Sequence, residues 1–282
     1  MICDVCGKIN ASTLENKQQS LYRCGVCGHG YKKMPPENHE KYNENYFSET
    51  HKKWFDNPDY VLFELIDKEI SKIKQDKQLK VLDVGCGKGD FLKYLKEKNS
   101  GSDLYGIDLS DNNCPGINFI KGDFINDTIG IKFDVISSLA VIEHIDSPHS
   151  FVRKVADHLS PGGLIFIMTV NDSNIIYKIA KLLKKVGVNS AYSRLYDKQH
   201  LQFFTNHSLK LLMEMNDLDV MLQKNHNYPL TAVDFPKTNI VVSQVYKLFM
   251  KIFFSLSKIC KNGMLQTVIC IKKERIHGSA DL

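Results

Sequence analysis

The chain of 282 residues holds one tryptophan, eight prolines and no run of about 18 uncharged apolar residues. A membrane-spanning helix is therefore not expected. Its opening, Met1-Ile2-Cys3-Asp4, lacks the basic stretch and apolar core of a secretion signal. Low-complexity tracts and internal repeats are missing as well. The 43% hydrophobic and 24% charged fractions are those of a globular chain rather than a disordered one. Together these absences predict a cytoplasmic protein, either one α/β domain with attachments or two modest domains.

A strong excess of one charge sign is also missing. With 37 basic against 32 acidic side chains, the net +5 is too slight to mark a nucleic-acid binder by itself. Division by region says more, because binding is local. Residues 1–50 carry six of each sign, 51–170 carry fifteen basic and eighteen acidic, and 171–282 carry sixteen basic and eight acidic. The excess lies wholly in the final third.

What is present begins with cysteine. Cys3-x2-Cys6 and Cys24-x2-Cys27 are two tight pairs separated by seventeen residues, the spacing of a four-cysteine zinc ribbon. Zinc needs four thiolates at the corners of a tetrahedron, and two knuckles on a short hairpin supply them. Structural disulfides are the alternative, disfavoured in a reducing compartment. A site with four protein ligands has no open position for water, so the expected role of the metal is structural. About 25 residues cannot build a core of their own, and a metal substitutes for one. The ribbon is expected to dock on the main body or help cover its substrate. His29 reads as a bystander, and Cys86, Cys114, Cys260 and Cys270 show no metal spacing.

Beyond the ribbon, assigned to residues 1–34, the stretch 35–75 reads as an aromatic linker with Tyr42, Tyr46, Phe47, Trp54 and Phe55, followed by a helical cap. From residue 76 short apolar strands alternate with helices: strands at 79–84, 104–109, 117–120, 133–139 and 163–170, helices at 90–98 and 148–159. Alternation at this spacing predicts a doubly wound, mostly parallel sheet covered on both faces. Helical insertions are expected at 173–204 and 236–262, with a helix at 208–216 and strands at 218–224 and 264–272. Two of the inserted helices, 175–186 and 240–261, carry lysines beside aliphatic residues.

The first strand ends in Asp83-Val84-Gly85-Cys86-Gly87-Lys88-Gly89-Asp90. Glycines there let the backbone turn tightly and let a ligand approach where a Cβ would obstruct. A phosphate loop needs Lys followed by Ser or Thr, and a dinucleotide loop needs glycine at position 90; neither condition is met. Asp83 can take a cationic amino group where a pyrophosphate would be repelled. Asp108 closes the second strand, placed to accept hydrogen bonds from two ribose hydroxyls. After the third strand, Asp123 can bond an exocyclic amine and Phe124 can lie on a purine. These parts describe an adenosine with an amino-acid tail.

From Val81 to about Val170 the chain resembles the class I S-adenosylmethionine-dependent methyltransferases, with Leu159-Ser160-Pro161-Gly162-Gly163 matching the turn before their fifth strand. The resemblance implies that Asp83, Gly85 and Gly87 line the methionine end, that Asp108 holds the ribose, and that Asp123 with Phe124 holds the adenine. It also implies a seventh, antiparallel strand, supplied by 264–272. The fourth strand runs into Ala140-Val141-Ile142-Glu143-His144, similar to quinone-biosynthesis O-methyltransferases, in which a further glutamate at the position of Ala140 helps bind a divalent ion. Alanine there argues against a catalytic metal. His144 has the residue type of a general base, and His200 falls in a segment that lies over the acceptor pocket in the same group.

The ribbon, the Tyr-x3-Tyr-Phe segment and this domain together look like methyltransferases of bacterial surface polysaccharides and modified sugars. That resemblance implies O- or C-methylation of a small-molecule or glycan acceptor, nucleotide-linked or lipid-linked. An RNA base methyltransferase with a zinc-binding recognition module is the alternative, but residues 1–50 are neutral as a whole and show no obvious aromatic and basic strip. Nucleic acid is therefore the less expected partner. The lysine-bearing helices suit either peripheral contact with the inner membrane face or a cap over the active site with the lysines in water.

Overall fold

The computed structural model describes residues 2–9, 12–17, 20–33, 52–73, 78–98, 101–111, 114–233 and 239–273. The expected linker aromatics Tyr42, Tyr46 and Phe47 lie outside them. In chain order come strands β1 (Ser12–Asn16), β2 (Leu21–Cys24) and β3 (Gly30–Lys32), then helices α1 (Lys52–Asp56) and α2 (Tyr60–Ile73). The body follows with β4 (Lys80–Val84), α3 (Asp90–Lys98), β5 (Asp103–Asp108), β6 (Asn118–Lys121), β7 (Phe133–Leu139), α4 (Pro148–His158) and β8 (Leu159–Val170). After it come α5 (Ile175–Lys185), α6 (Ser190–Leu195), β9 (Gln202–Phe203), α7 (Asn206–Glu214), β10 (Leu218–His226), α8 (Ile240–Ile259) and β11 (Leu265–Lys272).

Seven strands make one sheet in the order β10-β11-β8-β7-β4-β5-β6. The pairs β4–β5, β5–β6, β4–β7 and β7–β8 are parallel, while β11 runs antiparallel to both β8 and β10. The reversed strand is the one expected at 264–272. Central strands bury both faces. Leu82, Val84, Ile136 and Ile165 pack with α4 and α7; Val81, Val135, Leu164 and Phe166 pack with α2 and α3. Burial on both sides is why these strands read as unbroken apolar runs rather than alternating ones.

Several boundaries move for local reasons. Thr205 and Ser208 form a reciprocal capping box, so α7 starts at Asn206 rather than at 208. The segment 159–163 belongs to β8 as an irregularity: Phe133 pairs with Leu159, but Val135 pairs with Leu164. A Cβ on Gly163 would lie 2.8 Å from the Ser160 carbonyl oxygen, too close for any other residue.

The small sheet does not stop at residue 34. Its order is β1-β2-β3-β9, so its fourth strand comes from the body, with Gly30 opposite Phe203 and Tyr31 opposite Gln202. Cys3, Val5 and Tyr31 share one apolar cluster with Phe204 and Leu209. The hairpin of 25-odd residues thus gains the core it cannot build alone.

Candidate active site

In the main sheet the strand order reverses between β4 and β7, and ligands of such folds bind beyond the carboxyl ends of the strands at that point. A cavity of about 560 Å³ lies there. One half is lined by Gly85, Gly87, Asp108, Asp123 and Phe124; the other by His144, Arg194, Asp197, His200, Tyr246 and Met250. A smaller cavity of about 90 Å³ shares Gly85 and Gly87 with it and contains Asp83. Seven of the eight candidate binding and catalytic residues therefore line the large cavity, and Asp83 lines the smaller one that shares two glycines with it.

The loop after β4 is tied to β5. The Gly85 and Cys86 amides donate to the Ile107 carbonyl at 2.8 and 3.2 Å. Asp108 accepts from the Gly87 amide and the Ser110 amide, both at 2.8 Å, so its carboxylate orders the glycine loop while bordering the cavity. Gly85 has φ +70°, and a Cβ there would sit 2.4 Å from the Val141 side chain. That contact explains the glycine on steric grounds.

Asp83 is buried at the end of β4 and accepts from the Ser137 hydroxyl at 2.7 Å. Burial pushes its carboxyl up to about 7. Asp123 accepts from the Ile125 amide at 2.8 Å and the Asn126 side chain at 2.6 Å, which sets the turn after β6. Phe124 is buried edge-on against Phe151 at 5.8 Å, with the Lys154 ammonium 5.5 Å from its ring centre. It contributes to the cavity wall from within the core.

On the other side of the cavity, His144 closes a 3-10 turn at Ile142–His144 that follows β7. Its Nδ1 lies 3.0 Å from the Gln199 carbonyl oxygen. A carbonyl only accepts, so Nδ1 carries a proton, and in the neutral ring Nε2 is the basic nitrogen. The His200 ring packs edge-on against it, centroids 4.8 Å apart. Glu143 accepts from the Thr169 hydroxyl at 2.8 Å, and burial pushes its carboxyl up to about 7. Glu143, His144 and His200 each offer a ligand atom within 4.8 Å of the others, a grouping that the Ala140 position alone did not suggest.

The segment bearing His200 is held by the ribbon. The Lys32 amide donates to the Leu201 carbonyl at 2.8 Å, and the Leu201 amide donates to the Glu143 carbonyl at 2.7 Å. Buried His29 donates from Nε2 to the Gln202 side-chain oxygen at 2.8 Å, and Gln202 donates onward to the Ile145 carbonyl at 2.9 Å. His29 is thus a bridge to the body, outside the cysteine cluster. Arg23 donates to Asp172 at 2.5 Å and also pairs with Glu15, and the Tyr196 hydroxyl completes Asp172 at 2.5 Å.

Cys3, Cys6, Cys24 and Cys27 converge at the base of the ribbon. The Cys3–Cys27 and Cys6–Cys24 sulfurs are 3.6 Å apart. Bonds of about 2.3 Å to one tetrahedral ion separate sulfurs by about 3.8 Å, whereas a disulfide needs about 2.05 Å. The thiols fit a metal and not a pair of disulfides.

Sequence reading missed Arg194, Asp197, Tyr246 and Met250 as cavity residues, and Arg23, Asp172 and Tyr196 as the link to the ribbon. Asp172 had a usable signal, since it follows the carboxyl end of β8. Arg194, Tyr196, Asp197, Tyr246 and Met250 come from insertions whose placement only packing decides.

A family model described as "Methyltransferase domain" matches residues 47–223, more than half of the chain. The mitochondrial ubiquinone biosynthesis O-methyltransferase of Dictyostelium discoideum is 31% identical over 121 residues, 35% of this chain and 37% of that protein. The malonyl-[acyl-carrier protein] O-methyltransferase of Calditerrivibrio nitroreducens is 29% identical over 130 residues, 45% of this chain and 51% of that one. The chain thus spans about half or less of the length of these curated relatives. A crystal structure of a SAM dependent methyltransferase from Archaeoglobus fulgidus superposes with a TM-score of 0.54 at 20% identity, over 81% of this chain and all of that one. With its seven-stranded sheet, one reversed strand and matched domain, the chain belongs to the class I S-adenosylmethionine-dependent methyltransferases.

Proposed function

We propose that the chain moves the methyl group of S-adenosylmethionine to an oxygen of a small-molecule or glycan acceptor. The carrying observation is the single cavity that joins Asp108 and Asp123 to His144 and His200. Asp83 takes the ammonium of the methionine tail, Asp108 the ribose hydroxyls, and Asp123 with the wall at Phe124 the adenine. The sulfonium is already a good leaving group, so the cavity acts chiefly by in-line placement. His144, with Nε2 as its basic nitrogen, removes the acceptor's hydroxyl proton as the oxygen attacks the methyl carbon. A carbon acceptor would use the same base. Zinc on Cys3, Cys6, Cys24 and Cys27 would hold the ribbon, and with it the His200 segment, in place.

The acceptor class is supported by relatives named as O-methyltransferases of ubiquinone biosynthesis and of malonyl-[acyl-carrier protein]. The test supplies S-adenosylmethionine with a deuterated methyl group, together with nucleotide-linked sugars, lipid-linked sugars, polyprenyl phenols or RNA. The expected result is a labelled methyl on a small-molecule or glycan hydroxyl, lost in His144→Ala. Labelling of an RNA base alone would replace this reading with the other.

A further inference from the structure

Among the described residues no helix is long and apolar enough to cross a membrane, yet two helices expose apolar stripes. On α8, Val242, Val245, Phe249, Ile252, Leu256 and Ile259 repeat every three or four residues and are between 48% and 77% exposed. Ile175, Ile179 and Leu182 on α5, with Val186 just past it, follow the same spacing at 46% to 71% exposure. The sequence placed the aliphatic row of α5 on one face. The structure turns Ile175, Ile179, Leu182 and Val186 of that row outward, leaves Ile176 half-buried and buries Tyr177 and Ala180, because Tyr177 packs against Tyr196 at 5.4 Å.

These stripes adjoin. Asn262, just past α8, accepts from the Ile175 amide at 3.0 Å and from the Asn174 side chain, so α8 ends where α5 begins. Both helices also wall the large cavity, through Ile176, Tyr246 and Met250. Neither helix contains an acidic residue, and Lys178, Lys185, Lys251 and Lys258 are exposed on them.

We infer that α5 and α8 form a docking face for an anionic phospholipid surface, which brings the acceptor half of the cavity to the bilayer. An apolar stripe beside lysines inserts at the headgroup boundary while the ammonium groups meet lipid phosphates. A second copy of the chain is the competing occupant, but it would carry the same lysines and gather like charge. The inference concerns where the enzyme sits and does not depend on which acceptor it methylates.

Flotation with vesicles of phosphatidylglycerol and phosphatidylcholine, against phosphatidylcholine alone, tests it on the full chain. The wild type is expected to float with the anionic vesicles and to release as salt is raised. Each lysine near the surface contributes about fivefold, so Lys251→Glu with Lys258→Glu lowers partition by about 25-fold or more. Ile252→Ser, Leu256→Ser and Ile259→Ser together abolish flotation while S-adenosylmethionine affinity, read by calorimetry, is kept. No flotation of the wild type at low salt, or flotation indifferent to both sets of variants, overturns the inference. A dimer in sedimentation that the serine variant dissolves also overturns it and assigns the face to a second copy. Loss of cofactor binding by the wild type would strike the methyl-transfer reading and leave the docking result standing.

Discussion

At the end of β4, the Asp83 carboxyl is buried against Ser137 and raised from 3.8 to about 7. The folded protein therefore holds a proton that the unfolded chain releases between those values. Stability falls as pH rises through that window and is level above it. Ligand binding has the opposite slope, since a cationic ammonium favours the ionised carboxylate and displaces the proton. Affinity for S-adenosylmethionine is expected to climb with pH by up to about tenfold per unit and level off above about 7. Calorimetry across pH reads this directly; a flat profile in the wild type, or an unchanged slope in Asp83→Asn, would contradict the ammonium contact. In His144→Ala the turnover should fall by about 10² to 10⁴ with cofactor affinity unchanged. Turnover within a few-fold of the wild type would remove His144 from the chemistry. The glycine loop and its acids were legible because each follows an apolar strand at fixed spacing. The tautomer of His144 was not, since it depends on a carbonyl 55 residues away.

Among elements, β9 matters most for its size. Two residues carry the small sheet's fourth strand, and the neighbouring Leu201 ties the loop of His200 to the carbonyl of Glu143. The ribbon therefore acts on the His144 and His200 side of the cavity through backbone bonds, with the Gly85, Gly87 and Asp108 side attached to β4 and β5. Removal by a chelator of the metal proposed on the four cysteines, or Cys3→Ser with Cys24→Ser, is expected to lower hydrogen-exchange protection of residues 200–205 by about tenfold or more. S-adenosylmethionine affinity should stay within about threefold under the same treatment. Protection that survives complete metal loss, or equal damage to both halves, would contradict this division. The ribbon itself was legible from four cysteines. Its fourth strand was not, because a two-residue strand has no periodicity to detect.

For the whole molecule, the order β10-β11-β8-β7-β4-β5-β6 follows from the alternation of strand and helix with one reversed strand last. The sheet was legible because its strands bury both faces. The outward apolar rows of α5 and α8 were not, because an amphipathic pattern states that two faces differ and not which one turns inward. The regional charge takes on a place in this arrangement: residues 1–50 sum to zero, residues 51–170 are slightly acidic, and the final third is basic, with lysines that share the outer surface with exposed aliphatic side chains. The proposed function rests on one requirement, that the cofactor lie across Asp108 with its methyl group toward His144. Titration calorimetry with S-adenosylmethionine on the wild type and on Asp108→Ala tests that requirement most directly. The account predicts binding by the wild type and at least a tenfold weaker affinity in a folded variant, about 1.4 kcal/mol; equal affinity in the two proteins would contradict it.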